Sequence, residues 1–359
     1  AWLVGSLSAA IERSLEGRPG GRARELLALE DEPLAAAVGA GAEAVDASRA
    51  RTAATLRAAV ERAGVWACCR HDSAFPESVE RLADAPRVLF GRGDPERLAL
   101  LAADECVTVV GARRPSAYGR EMAEQLGREL GAAGLVVVSG MALGIDSCAH
   151  RGALAAGAMT VAVLGSGPDV PHPSRMAELY ERIANSGLVL SELPPGTSPR
   201  RWTFPARNRI MAALGAMTVV VEGRERSGSL ITANLAAEGG REVGAVPGRV
   251  GSATAAGPNA LLHQGAHVIR GAEDVLDALW GIGAQLPREP EEVSAIDVPP
   301  RFAAVLAEVE RGEETLDGVA IAAGLDPALA AEALTALELA GLVACDSAGC
   351  WRRTTLRAA

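Results

Sequence analysis

From Glu105 to Ile269 the sequence repeats one pattern: a short apolar run, a turn, then a stretch whose apolar residues recur at helical spacing. The runs are Val107–Val110, Leu135–Val138, Thr160–Leu164, Leu188–Leu190, Thr218–Val221, Val243–Val246 and His267–Ile269. Helical segments fall at Tyr118–Ala133, Asp146–Ala156, Ser174–Asn185, Leu230–Glu238 and Asn259–Gln264, and another begins near Pro205 or Ala206. Strands apolar throughout are buried on both faces, and helices between them act as crossovers. The pattern therefore predicts an α/β fold, a parallel, doubly wound, Rossmann-like sheet over residues 104–282.

The flanks differ in character. Residues 1–65 are rich in Ala, Leu, Glu and Arg, punctuated by glycine, and read as a small helical domain. Residues 66–103 alternate short extended runs with turns, as an edge strand or lead-in to the core would. Residues 283–300 carry four prolines and three glutamates and read as an extended acidic linker. Residues 301–356 follow the order helix, helix, helix, two short strands, which predicts a winged-helix domain.

Charge is unevenly placed. Residues 1–103 hold 13 arginines against 15 acidic residues, residues 104–282 hold 16 against 17, and residues 283–359 hold 6 against 13. The net −10 is thus concentrated at the C-terminal end, and a local arginine patch in the near-neutral centre can still attract an anion. All 35 basic residues are arginine, which excludes a Walker-A lysine, a pyridoxal Schiff base and a lysine nucleophile. The six cysteines show no metal or redox spacing and read as free thiols in a reducing compartment. No apolar run reaches the roughly 18 residues of a membrane span. No basic-then-apolar leader is visible, so a soluble cytoplasmic protein is expected.

Ligands of open α/β sheets bind beyond the carboxyl ends of the strands. Four turns expected there carry glycine with serine or arginine: Gly111-Ala112-Arg113-Arg114, Ser139-Gly140 through Asp146, Gly165-Ser166-Gly167, and Ser227-Gly228-Ser229 through Thr232. Glycine lets backbone approach an anion closely, and hydroxyls add donors. The densest stretch is Arg201-Trp202-Thr203-Phe204-Pro205-Ala206-Arg207-Asn208-Arg209. Proline suits a first helical turn, exposed N–H groups at a helix start suit phosphate, and guanidinium matches phosphate oxygens. Trp202 and Phe204 offer faces on which bases can stack. The alternative is an ion-paired arginine cluster with Phe204 packed in the core.

Other chemistries fit less well. Gly-Ala-Arg-Arg-Pro after the first strand is not a dinucleotide fingerprint, so no cofactor is expected. Asp146 and His150 share a helix face as an acid–base pair would, but a capping Asp and a core His explain them more simply. Gly265 separates His263 from His267, so no metal pair is expected.

The central segment resembles the DNA-processing protein A family (DprA, also called Smf). The matching motifs are Gly111-Ala112-Arg113 with Tyr118-Gly119, Ser139 to Asp146 followed by Ala149-His150, and Ser191-Glu192-Leu193-Pro194. Phe204 to Met211, Ser227 to Ala233, Val246-Pro247-Gly248, and Gly257-Pro258-Asn259 with Gly265-Ala266 complete the set. The resemblance implies a non-enzymatic protein of natural transformation and DNA uptake. It would bind single-stranded DNA, form a homodimer and hand the strand to the recombinase RecA. It implies phosphate contacts from Arg113, Arg201, Arg207, Asn208 and Arg209, with Gly111 and Arg114 in the same loop, and a base contact from Phe204. The loops holding Ser139, Gly140, Ser227, Gly228 and Ser229 would shape the pocket. One departure is Pro171-His172-Pro173, where the family commonly has Tyr-Pro and then Asn. Two other classes are alternatives: a Rossmann-like nucleotide phosphoribohydrolase, whose Pro-Gly-Gly-x-Gly-Thr-x-x-Glu motif is missing here, and a structural adaptor with a vestigial pocket.

Overall fold

A computed structural model describes residues 1–15, 21–101, 105–281, 300–339, 342–345 and 349–353. The chain divides into two compact units, residues 1–287 and 288–359. The expected linker at 283–300 lies, Pro300 apart, outside the described residues.

The larger unit starts with five helices: α1 (Trp2–Ser14), α2 (Gly21–Leu27), α3 (Asp31–Ala37), α4 (Ala42–Arg49) and α5 (Ala53–Arg62). Leu3, Leu7 and Ile11, spaced four apart, form the buried stripe of α1, continued by Leu15 at its C-cap, and pack with Leu34, Val45 and Trp202. Then come β1 (Trp66–Cys69), α6 (Glu77–Glu80) and β2 (Val88–Gly93). The repeating core follows as β3 (Cys106–Val110), α7 (Ala117–Ala132), β4 (Val136–Ser139), α8 (Ile145–Ala155), β5 (Thr160–Val163), α9 (Ala177–Ser186) and β6 (Leu188–Ser191). It continues through α10 (Thr203–Leu214), β7 (Met217–Val220), α11 (Gly228–Glu238), β8 (Glu242–Ala245), α12 (Ala256–His263), β9 (His267–Val268) and α13 (Ala272–Trp280).

These strands form one sheet in the order β1-β2-β6-β5-β4-β3-β7-β8-β9. From β6 to β9 every pairing is parallel. One apolar cluster, including Val110, Val138, Val163 and Val220, packs beneath α10 and α11; the other, including Val107, Val137 and Val219, packs beneath α7 and α8. Alternate residues of each strand thus serve opposite faces, which explains the unbroken apolar runs. Beyond the parallel part, β2 runs antiparallel to β6 and β1 antiparallel to β2. The lead-in therefore adds two strands to the sheet. Gly91 is needed there because any side chain would collide with the Trp66 ring.

Strand order reverses between β3, whose chain moves on to β4, and β7, whose chain moves on to β8. Their parallel pairing runs from Val107–Met217 to Val110–Val220. The loops after these two strands must diverge to opposite faces, so a crevice opens between them.

The smaller unit holds α14 (Pro300–Glu310), α15 (Leu316–Ala323), α16 (Pro327–Leu339) and the antiparallel pair β10 (Val343–Cys345) and β11 (Trp351–Arg353). Phe302, Val305, Leu306, Val319, Leu334 and Leu337 form its core. Among the described residues no single helix is long and apolar enough to cross a membrane.

Candidate nucleic-acid interface

The crevice at the β3/β7 reversal has a volume of about 460 Å³. The loop after β3 supplies Gly111 and Arg113, and the segment entering α10 supplies Arg201, Phe204, Arg207 and Asn208. The start of α11 supplies Ser227, Gly228 and Ser229. Three guanidinium groups expected to share one trough therefore border one opening. Arg113 and Arg201 are exposed, whereas Arg207 is buried. The N-cap Ser227 accepts the Ser229 N–H, so α11 begins at the wall of the crevice and turns its positive end toward it.

Arg207 forms the floor. Its Nη1 donates to the Gly140 carbonyl at 2.6 Å and also to the Val163 carbonyl, and its Nε donates to Asn208 Oδ1 at 3.2 Å. Gly140 must be glycine because a Cβ would strike this guanidinium. Burial pushes the Arg207 pKa down to about 10, opposed by the nearby Asp146 carboxylate. The group stays charged at neutral pH.

Asp146 itself does not cap α8, whose N-cap is Gly144. Its Oδ2 accepts the N–H groups of Gly140 and Ala142 at 3.2 and 3.3 Å. That clasp holds the loop in which Met141 has φ +55°, a left-handed conformation that a non-glycine residue adopts only under constraint. Burial raises the Asp146 pKa, and Arg207 acts against the shift. His150 is a core residue: Nδ1 meets Thr160 Oγ1 at 2.7 Å, and burial, then Arg207, hold its pKa at about 3. His267 pairs with Glu242 at 2.7 Å.

Phe204 is half-buried at the mouth. The Arg113 guanidinium lies over its ring at 5.5 Å, and the His172 ring approaches at the same centroid distance, tilted by 40°.

Not every expected residue reaches the crevice. Arg209 is the main correction. It is 1% exposed, points away from Arg207, and is bidentate to Glu192 at 2.7 Å while Nε meets Asp84 Oδ2 at 3.1 Å. Burial would lower its pKa, but Glu192 and then Asp84 carry it upward. Trp202 is also buried; its indole Nε1 donates to the Ser8 carbonyl at 3.1 Å and its ring joins the core of α1. Ser139 is buried and donates to the Val109 carbonyl at 2.6 Å. Gly140 acts through its carbonyl beneath the surface, and exposed Arg114 follows Arg113 without lining the crevice. The helix begins at Thr203, two residues before Pro205, so Phe204 and Pro205 lie in its first turn.

Thr232, the last residue of the fourth expected turn, does reach the site. It lines the crevice, and its buried Oγ1 has no hydrogen-bond partner among the described residues. Ser229 and Thr232, three apart on α11, share one face.

The helical N-terminal segment positions this site. Glu12 of α1 accepts from the Arg200 side chain at 2.7 Å and from the Arg201 backbone N–H at 3.1 Å. These two bonds, side chain first, hold the Glu12 carboxyl below its usual range. A larger cleft of about 950 Å³ lies toward the other end of α10. Of its four lining arginines, Arg24 is matched by Asp84 and Glu238, Arg81 by Glu77 and Arg209 by Glu192, so most of its positive charge is neutralised.

The sequence profile of the family described as DNA recombination-mediator protein A matches residues 66–280. A putative DNA processing protein DprA from Mycobacterium tuberculosis is 41% identical over 277 residues, covering 75% of this chain and 69% of that one. The solved structure of DNA processing protein A from Streptococcus pneumoniae matches with a TM-score of 0.61 at 32% identity, over 77% of this chain and 98% of that one. The same protein from Helicobacter pylori matches with a TM-score of 0.54 at 30% identity, over 60% of this chain and 95% of that one. That structure is described as giving insight into a unique single-stranded DNA binding mode.

Proposed function

The chain belongs to the DNA recombination-mediator protein A family, and from that premise we propose that its β3/β7 crevice holds single-stranded DNA during DNA uptake and recombination. The observation that carries this reading is the convergence of Arg113, Arg201 and Arg207 with the start of α11 on one opening. Fixed guanidinium groups and helix-terminal N–H groups hold phosphates, and Phe204 is placed to meet a base. Asn208, Ser227, Gly228 and Ser229 complete the walls. The Helicobacter pylori protein's described binding mode supports the same assignment.

The state of two carboxylates supports binding rather than turnover. Asp146 and Glu192, the acids a nucleotide hydrolase would need here, are occupied by loop N–H groups and by Arg209. Delivery of the strand to a RecA-type recombinase fits the family's description as a mediator of recombination. A homodimer through the Rossmann-like domain is supported by β9, a terminal strand whose two residues are both exposed. A cytoplasmic location suits these roles.

A short oligothymidylate should bind in a gel shift far more tightly than the equivalent duplex, because stacking needs unpaired bases. Equal affinity for the two would sink the proposal.

The smaller unit has the element order of a winged helix, yet α16 carries no basic side chain and residues 283–359 bring a net −7. It would repel a phosphate backbone, so a protein-contacting or autoinhibitory role is inferred. Deleting residues 284–359 is expected to leave single-strand affinity within about twofold, since its charge opposes binding. A large loss of affinity in the same assay would reassign the unit to DNA contact.

A further inference from the structure

Three elements meet at the mouth of the crevice: Arg113 from the loop after β3, Phe204 from the first turn of α10, and His172 from the loop between β5 and α9. We propose that His172 is a contact of the bound strand and that its imidazole takes up a proton as a phosphate arrives. The proposal rests on the single-strand reading above and adds a residue and a proton to it.

The geometry is specific to this ring. His172 is exposed, lies 5.5 Å from the Phe204 centroid, and has no hydrogen-bond partner for its ring nitrogens among the described residues. The other four histidines are placed differently. His150 is buried against Thr160 and His267 is paired with Glu242, while His71 follows β1 and His263 ends α12. The charged groups facing the His172 ring are Arg113, from the β3 loop, and Arg207, from α10. Its own loop carries Arg175 and Asp169, whose carboxylate is engaged by the Gly196 N–H. In the free protein, partial burial and then the two guanidinium groups hold its pKa below the ordinary value.

A polynucleotide reverses that balance. Phosphates drawn in by Arg113 and Arg207 cancel the repulsion those groups exert on an imidazolium, and a phosphate oxygen can accept its N–H. The ring then titrates higher in the complex than in the free protein. Affinity must rise as pH falls through the window between the two values, by linkage. A neutral or permanently uncharged side chain here would bind without this slope.

The test is fluorescence anisotropy with a labelled oligothymidylate, comparing wild type with His172→Gln between about pH 8 and about pH 5.5. Wild-type affinity is expected to gain about fivefold more than the variant over that range. In wild-type protein, the His172 ring resonance in NMR should titrate at a pH about one unit higher with the oligonucleotide than without it. Equal slopes in the two proteins, or a ring titration unmoved by the strand, would overturn the proposal while leaving the crevice reading intact. No binding by wild type at about pH 8 would instead bring down both.

Discussion

Replacing Arg209 with methionine is expected to destabilise the larger unit by about 3–5 kcal/mol, lowering its melting temperature by roughly 10 °C. The side chain is fully enclosed, and its guanidinium neutralises Glu192 and Asp84 while also donating to the Asp84 and Ala206 carbonyls. Methionine fills much of the space but leaves the partly buried Glu192 without its cation and the buried Asp84 with Arg24 alone. Removing one member of a buried ion cluster is far more damaging than replacing the whole cluster by apolar groups. Asp84 keeps Arg24 at 3.0 Å, so Glu192 is the group left most exposed to the loss. Calorimetry checks the prediction; an unchanged melting temperature would mean that Arg209 is not the lock between α10, β6 and the segment after α6. Lysine in its place should recover only part of the loss, because it cannot make the bidentate contact.

The double substitution Arg113→Ala with Arg201→Ala is expected to weaken oligothymidylate binding roughly 100-fold and leave folding unaltered. Both side chains are exposed rims of the crevice, so neither supports the core. If each meets one phosphate, the slope of log K against log salt should flatten by about 1.4, from about 0.7 per contact on a single strand. Titrations at several salt concentrations measure both quantities together. Weaker binding with an unchanged slope would show that the arginines shape the opening without touching phosphate. Arg207 is a poorer probe of the same idea, because it also ties the Gly140 and Val163 carbonyls together.

Much of the architecture was legible in the residues. Seven apolar runs separated by helical stretches are hard to satisfy with anything but crossovers on both faces of a parallel sheet. The place of the crevice then followed from the carboxyl ends of the strands, and Arg113, Arg201, Phe204, Arg207 and Asn208 gather there. Arg209 was misassigned for a reason visible beforehand. Residues two apart on a helix point about 200° away from each other, so Arg207 and Arg209 cannot serve one surface. Trp202 was harder, since the carbonyl and apolar stripe that claim its indole belong to α1, nearly two hundred positions earlier in the chain. The antiparallel strands β1 and β2 were also only half visible. The run of β2 is broken by Gly91 and Gly93, and its pairing with β6 depends on a partner a hundred residues away.

The clasp between Glu12 and the Arg200–Arg201 peptide has a consequence for how the protein tolerates change. An acid on the opening helix dictates the direction in which a distant cationic lip faces, so the first turns of the chain are part of the grip although they touch no ligand. Drift in that helix would leave a sound scaffold with a slack hand.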